Sequence, residues 1–470
     1  MESLKNKPTL AIIDLNSCQG CEREILNLDE LLPDLFEQVD IVYWNMISSK
    51  PLPDSIDIAV VEGAVCSNET IAFLQNLRDA SKHIIALGAC ACGITNFEVS
   101  DKKIVAIESG EVVSLKECID VDFFVRGCPI DKTEFIAILH KCIFGHNTFE
   151  SSASMCGQCK GNEVGCFFGR ERCCLGLVTI SGCGAICTGL GRPCMGCRGI
   201  SSSANINEAK IIAGKVSLSD DSQTFEDMQT ACSIKRFYDK DISGLSGDLA
   251  AFVASRFNGQ WSCSCVIEAI EAHEKSLCIE VSEKDQILRE LLKLGELIQN
   301  HVAFIYYEEL RSAYGYADIF EFGRARANVM EEVHRCRHAG TSICEVIGGR
   351  GVHPITPVVG GFTVYPDVSQ IECLEALIAG EIDFAINTVD LCNEVWEKCG
   401  PVEGSPVTSK VLATWDNLSD EARFAAAKVG LVPGLPDPRR ECVAAAVDLV
   451  DAFARARHLC EKYISIVSHN

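Results

Sequence analysis

Between residues 151 and 200 the chain loses the apolar periodicity that builds helices and strands, yet it carries nine cysteines there. A segment so poor in apolar pattern cannot fold on hydrophobic burial alone. Metal–thiolate bonds supply the missing stabilisation in small domains of this kind. The cysteines fall into sets. Cys156, Cys159 and Cys166 go with one of the adjacent pair Cys173 and Cys174, and Cys183, Cys187, Cys194 and Cys197 follow. A third set, Cys18, Cys21, Cys90 and Cys128, lies upstream. Four converging thiolates are the ligand set of one [4Fe–4S] cluster. Four-cysteine zinc sites share the CxxC spacing, so spacing alone leaves zinc open. Three clusters in a row would make a conducting path for electrons.

Twenty-eight cysteines in 470 residues could also mean a disulfide scaffold, but such chains are short and secreted. The opening MESLKNKPTLAIIDL is basic, but its apolar run is too short for a signal peptide. No apolar run is long enough to span a bilayer. A reduced, anaerobic cytoplasmic setting without direct membrane insertion is therefore expected. The net charge of −24 argues against a nucleic-acid partner, because phosphate binding needs a basic surface.

Residues 9–145 alternate strand-like runs (TLAIIDL, VDIVYW, IDIAVVEGAV, HIIALGACA, VDFFVRGCP) with helical ones (EREILNLDELLPDLFEQ, NETIAFLQNLRDASK, DKTEFIAILHKCIF). That order predicts an α/β fold with a flavodoxin-like, doubly wound sheet over residues 1–150. Ligands of such folds sit past the carboxyl ends of the strands, and Cys18, Cys90 and Cys128 each follow a strand. Gly88 and Gly127 suit a close backbone approach to a cluster. Cys66 and Cys92 are expected to be buried thiols, not ligands. Residues 151–215 form the irregular cysteine-rich domain, and residues 201–245 read as a polar connector. Residues 216–470 turn mainly helical, with apolar residues at three- and four-residue spacing. A Gly/Pro-rich loop at 347–361 interrupts them.

The motifs CxGCE (18–22), EGAV (62–65), GACA (88–91), GCP (127–129) and CxxC (156–159) come in this order. C-x-G-x-x-T (174–179), GCGAxC (182–187) and PCxGC (193–197) follow. In sequence and spacing they resemble the small subunit of [NiFe] hydrogenases, of the cytoplasmic viologen-reducing type that works with heterodisulfide reductase. The resemblance implies a proximal cluster on Cys18, Cys21, Cys90 and Cys128. It implies a distal cluster on Cys156, Cys159, Cys166 and Cys174, which favours Cys174 over Cys173. It implies a medial cluster on Cys183, Cys187, Cys194 and Cys197. The first domain also resembles the cluster-bearing small subunit of respiratory complex I, but the eight later cysteines favour hydrogenase.

The second half resembles part of a hydrogenase large subunit, through AIEA (269–272), LRELL (288–292), NHVAFIYY (300–307) and IGGRGVHPITPVVGG (347–361). Such subunits hold nickel and iron with an early RxCGxC and a late DPCxxCxxH. Where the early motif is expected, the chain reads Trp261-Ser-Cys263-Ser-Cys265, and its end has a single cysteine in HLCEKYISIVSHN. The resemblance therefore implies a degenerate large-subunit-like domain with no nickel, no catalytic residue and no hydrogenase activity of its own. This half would cap the proximal cluster and dock partners. Arg350 and His353 read as scaffold residues. An extra metal site on Cys263, Cys265, Cys392 and Cys399 is a weaker expectation, buried unliganded thiols being the simpler reading. His301, His334 and His338 are read as polar core or surface residues.

The chain is thus expected to be an electron-transfer subunit with three [4Fe–4S] clusters, within a larger complex with flavin or iron–sulfur subunits like those of heterodisulfide reductase. An active [NiFe] hydrogenase subunit with an unorthodox metal site and a zinc-stabilised structural protein are the alternatives.

Overall fold

The computed structural model describes residues 7–28, 35, 37–93, 104–145, 152–216, 224–399, 419–428 and 440–468. Five apolar runs form one parallel sheet: β1 (Thr9–Asp14), β2 (Asp40–Trp44), β3 (Ile56–Glu62), β4 (Ser81–Leu87) and β5 (Phe123–Val125). Their order is β2-β1-β3-β4-β5, and every neighbouring pair is parallel. Parallel strands are covered on both faces, so their sequences run apolar without alternation. Leu10, Ala11, Ile12, Val60, Val61, Ile84 and Ile85 are accordingly buried.

Local chemistry sets the helix ends. Ser67 accepts the Thr70 N–H (3.1 Å) before the helix Asn68–Ala80. Asp131 accepts the Glu134 N–H (2.9 Å) before Lys132–Phe144, which Gly145 ends in a left-handed conformation. The expected helix at 22–38 is seen as Gly20–Leu26, and residues 29–34 and 36 lie outside the described residues.

The cysteine-rich segment holds only short pieces, the helices Cys156–Gly161 and Ile186–Gly189 and the 3₁₀ turns Phe167–Arg170 and Leu175–Leu177. The polar connector expected at 201–245 proves helical over Ile206–Val216, Phe225–Ala231 and Ile234–Asp239. Phe225, Met228 and Ala231 recur at helical spacing and bury with Ala209, Ala213 and Phe237. That stripe is short enough to be lost among its polar neighbours.

Gly247–Ala254 and Ser262–Leu277 begin the mainly helical part. Glu283–Val302, Ala327–Gly348, Val368–Cys399, Asp420–Lys428 and Arg440–Ser468 continue it. Glu283–Val302 runs on into a π-helical stretch, Ala303–Leu310. The chain divides into two compact units. The first takes residues 1–45, 51–280 and 352–364, and the second residues 46–50, 281–351 and 365–470. Among the described residues, no helix is long and apolar enough to cross a membrane.

Candidate metal centres

The sheet gathers the first four thiols at one end. Cys18 follows β1, and Cys21 stands in the first turn of Gly20–Leu26. Cys90 lies in the short helix Gly88–Cys92 directly after β4, and Cys128 lies just past β5. Between β1 and β4, β3 contributes a carboxylate instead. Glu62 accepts the backbone N–H of Cys21 (3.2 Å) and of Glu22 (2.9 Å), pinning the CxGCE loop to the sheet. Gly88 has φ +80°, and a Cβ there would stand 2.5 Å from Cys21 Sγ. Only glycine tolerates both conditions.

The four thiols interact electrostatically with one another. Burial first, then Glu62 and the other thiols, pushes Cys21 well above the ordinary thiol range. Burial and the neighbouring Cys128 and Cys18 do the same to Cys90. Cys18 is raised by burial, Glu62 and Cys128. Cys92 is buried, its Sγ–H facing the carbonyls of Ala86 and Val125.

Later residues of the same unit cover Cys18 and Cys128. The Gly259 N–H donates to the Cys18 carbonyl (2.7 Å). A Cβ on Gly259 would come within 2.6 Å of that carbonyl oxygen. His353 Nε2 lies 3.5 Å from Cys18 Sγ. The imidazole is buried, and the backbone N–H of His353 donates to Ser262 Oγ (3.0 Å). Arg256, also buried, donates through Nη2 to the Cys128 carbonyl (3.4 Å). The sequence points to the stretch at 261–265 and gives His353 a scaffold role. Of the later residues, Arg256, Gly259 and His353 touch the first group.

The second and third groups also assemble. Cys156 is raised by burial and by Cys159 and Cys166. Cys174 is pushed up to about 12 by burial, opposed by N–H donors from Gly176 and Cys194, with Cys156 and Cys159 adding to the rise. Cys173 is pushed up to about 11 by burial, and the charges acting on it are Glu226 and Asp227. Cys183 rises to about 11 through burial, Cys197 and Cys187. Cys194 is raised well above the thiol range by burial, Cys174, Cys197 and Cys187.

Two contacts tie the groups to one another. The Cys194 N–H donates to Cys174 Sγ (3.2 Å), so the second and third groups adjoin. Cys232, to which no spacing motif points, is buried and feels Cys197 and Cys187 of the third group and Cys128 of the first. Its Sγ–H donates to the Met195 carbonyl. The cysteine-rich segment is clamped to the sheet domain by Arg198, which pairs bidentately with Glu134 (2.7 and 2.8 Å). Arg198 also donates to the Arg126 and Ser181 carbonyls.

Of the weaker extra site, Cys263 is buried and Cys265 half-buried on Ser262–Leu277 in the first unit. Cys392 belongs to the second unit and faces Cys442. The Cys399 side chain lies outside the described residues. Among the described residues, no three Cys, His, Asp or Glu side chains close on a point as a single metal ion requires.

Residues 18–142 match the family model described as NADH ubiquinone oxidoreductase, 20 Kd subunit. The sulfhydrogenase 2 subunit delta of Pyrococcus furiosus is 33% identical over 209 residues, which cover 42% of this chain and 88% of that subunit. The chain belongs to the family of hydrogenase small-subunit-like proteins. Another relative of this hydrogenase-like redox subunit is a vhu subunit of the F420-non-reducing hydrogenase of Methanocaldococcus jannaschii. It is 28% identical over 233 residues, covering 40% of this chain and 81% of the relative. The chain is similar as well to the sulfhydrogenase 2 subunit alpha of Pyrococcus furiosus, 32% identical over 125 residues. That match covers 27% of this chain and 30% of the alpha subunit.

Proposed function

We propose that this chain relays electrons through three [4Fe–4S] clusters within a larger redox complex and works without a nickel–iron site. One observation carries the reading: the thiol groups form a continuous series. Cys232 lies within electrostatic reach of thiols of both the first and the third group, and the Cys194–Cys174 contact joins the third to the second. The series runs proximal, medial, distal in the family's terms.

The donor sets suit the cofactor. Each group offers four thiols, and burial opposes ionisation of Cys21, Cys90, Cys174 and Cys194 among them. A cationic core is what draws off such protons, because metal binding releases them. When bound, [4Fe–4S] cores take up and release electrons at potentials set by sulfur hydrogen bonds and burial. Cys18, Cys21, Cys90 and Cys128 would hold the proximal core. Cys183, Cys187, Cys194 and Cys197 would hold the medial core, and Cys156, Cys159, Cys166 and Cys174 the distal core. The flavodoxin-like sheet domain positions the first set through its strand ends. Arg198 and Glu134 fix the cysteine-rich segment against it.

We read the later part of the chain as a degenerate large-subunit-like region, supported by the alpha-subunit similarity. Arg256-Phe-Asn258-Gly259-Gln-Trp261 fits R-x-C-G-x-C with Asn258 and Trp261 in the cysteine positions. This placement is five residues earlier than Trp261–Cys265, and it removes both early thiolates. Partner subunits carrying flavin or iron–sulfur centres, like those of heterodisulfide reductase, would supply and accept the electrons.

The test is an anaerobic reductive titration of the full chain followed by electron paramagnetic resonance. Three separately titrating cluster signals are expected. One signal, or none, would overturn the relay.

A further inference from the structure

The second unit holds a pair of sulfurs that the relay does not use. Cys392, on the helix Val368–Cys399, and Cys442, on the helix Arg440–Ser468, lie 50 residues apart in sequence. The Cys442 thiol points at Cys392 Sγ from 3.1 Å, closer than two unbonded sulfurs ordinarily rest. We propose that Cys392 and Cys442 form a reversible disulfide that fastens these two helices together.

The surroundings favour one course for the reaction. Cys392 is buried, whereas Cys442 is half-buried and is the sulfur that a reagent can reach. Burial, then Cys442 and Glu309, oppose ionisation of Cys392. Exchange therefore starts at Cys442, the sulfur of the pair that a reagent can reach. Tyr306 lies near the pair. Its hydroxyl is 2.7 Å from Thr388 Oγ1, and it lies close enough to Cys392, Cys336 and Cys442 to feel their charge. Tyr306 belongs to the π-helical stretch Ala303–Leu310, a distortion that recurs at functional sites.

The oxidant is a low-molecular-weight disulfide. Cys442 thiolate attacks one of its sulfurs, forms a mixed disulfide and expels one thiolate. Cys392 then attacks the Cys442 sulfur, the Cys392–Cys442 bond forms, and the second small thiol leaves with the proton. Two protein thiols are oxidised by two electrons and one small disulfide is reduced to two thiols. Reduction by excess small thiol reverses both steps. Cys344, another thiol of this unit, is engaged elsewhere: it accepts from Gln299 Nε2 (3.3 Å) and faces the Leu292 carbonyl.

The test treats the full chain anaerobically with 2-hydroxyethyl disulfide. Acid quenching, alkylation of remaining thiols and peptide mapping by mass spectrometry follow. The expected product joins the peptide holding Cys442 to the segment holding Cys392, and dithiothreitol removes it. Cys442→Ser and Cys392→Ser should each reduce this product to background, and Cys373→Ser, at an exposed thiol, should leave it unchanged. The wild-type map decides even if a variant fails to fold. Cys442 recovered only as a mixed disulfide with mercaptoethanol, or both thiols recovered alkylated, would overturn the proposal.

Discussion

His353 Nε2 lies 3.5 Å from Cys18 Sγ, across 335 residues of chain. A cluster-bound sulfur carries no proton, so Nε2 must be the donor in this contact. Hydrogen bonds to ligand sulfurs raise the potential of a cluster by favouring its more negative, reduced state. His353→Leu should therefore lower the proximal potential by on the order of 50 mV, about 1.2 kcal/mol for one electron. His353→Gln, which keeps a donor, should shift it less. An unchanged midpoint in a spectroscopic titration of the Leu variant would show that the imidazole only fills space.

Gly88 concerns the same group from the other side. A side chain there meets Cys21 Sγ at 2.5 Å. Gly88→Val should displace that sulfur and remove about four iron atoms per chain, one cluster's worth. Gly110 has a comparable φ of +85° but nothing within 4 Å of its missing Cβ. Gly110→Ala should retain full iron, which separates backbone strain from displacement of the thiol. Equal iron in both variants would count against Cys21 as a ligand.

Cys173 and Cys174 are adjacent in sequence but face different surroundings. Cys174 Sγ accepts the Cys194 N–H (3.2 Å), whereas Cys173 sits in the apolar cluster with Phe225 and Met228. Cys174→Ser should abolish or convert the distal signal, and Cys173→Ser should leave the spectrum nearly intact. Equal loss from both single changes would reject the assignment.

The strand-end cysteines are legible in the sequence because β1, β4 and β5 are short apolar runs that end just before them, and the parallel order follows from strand–helix alternation. The two cysteine-rich groups are legible as spacing, and the preference for Cys174 over Cys173 comes from the family resemblance, since spacing does not separate two adjacent thiols. Arg256, Gly259 and His353 are not legible as neighbours of Cys18. They lie hundreds of residues away in sequence, and no local periodicity reports such a contact. Cys232 escapes notice for a similar reason, being one thiol in a short helical stretch that reads as polar linker. Cys392 is drawn to a different partner set because spacing says nothing about which distant thiol a helix will meet.

The Arg198–Glu134 pair gives a stability prediction. Arg198 is 3% exposed and Glu134 24%. Glu134→Ala leaves the guanidinium short of its bidentate partner, and breaking a buried pair from one side costs about 3 kcal/mol. Because the pair clamps the cysteine-rich segment to the sheet domain, the loss should appear as faster release of iron to a chelator, with a lower unfolding midpoint. Iron release at the wild-type rate would show that the segment is held by its thiolates alone.

Metal analysis tests the presence of three four-iron clusters most directly. Anaerobically purified full-length protein should contain about twelve iron and about twelve acid-labile sulfide per chain, at four of each per cluster. Nickel and zinc should be at background. Iron near eight would remove one group of four cysteines from the relay, and zinc in place of iron and sulfide would contradict the relay entirely.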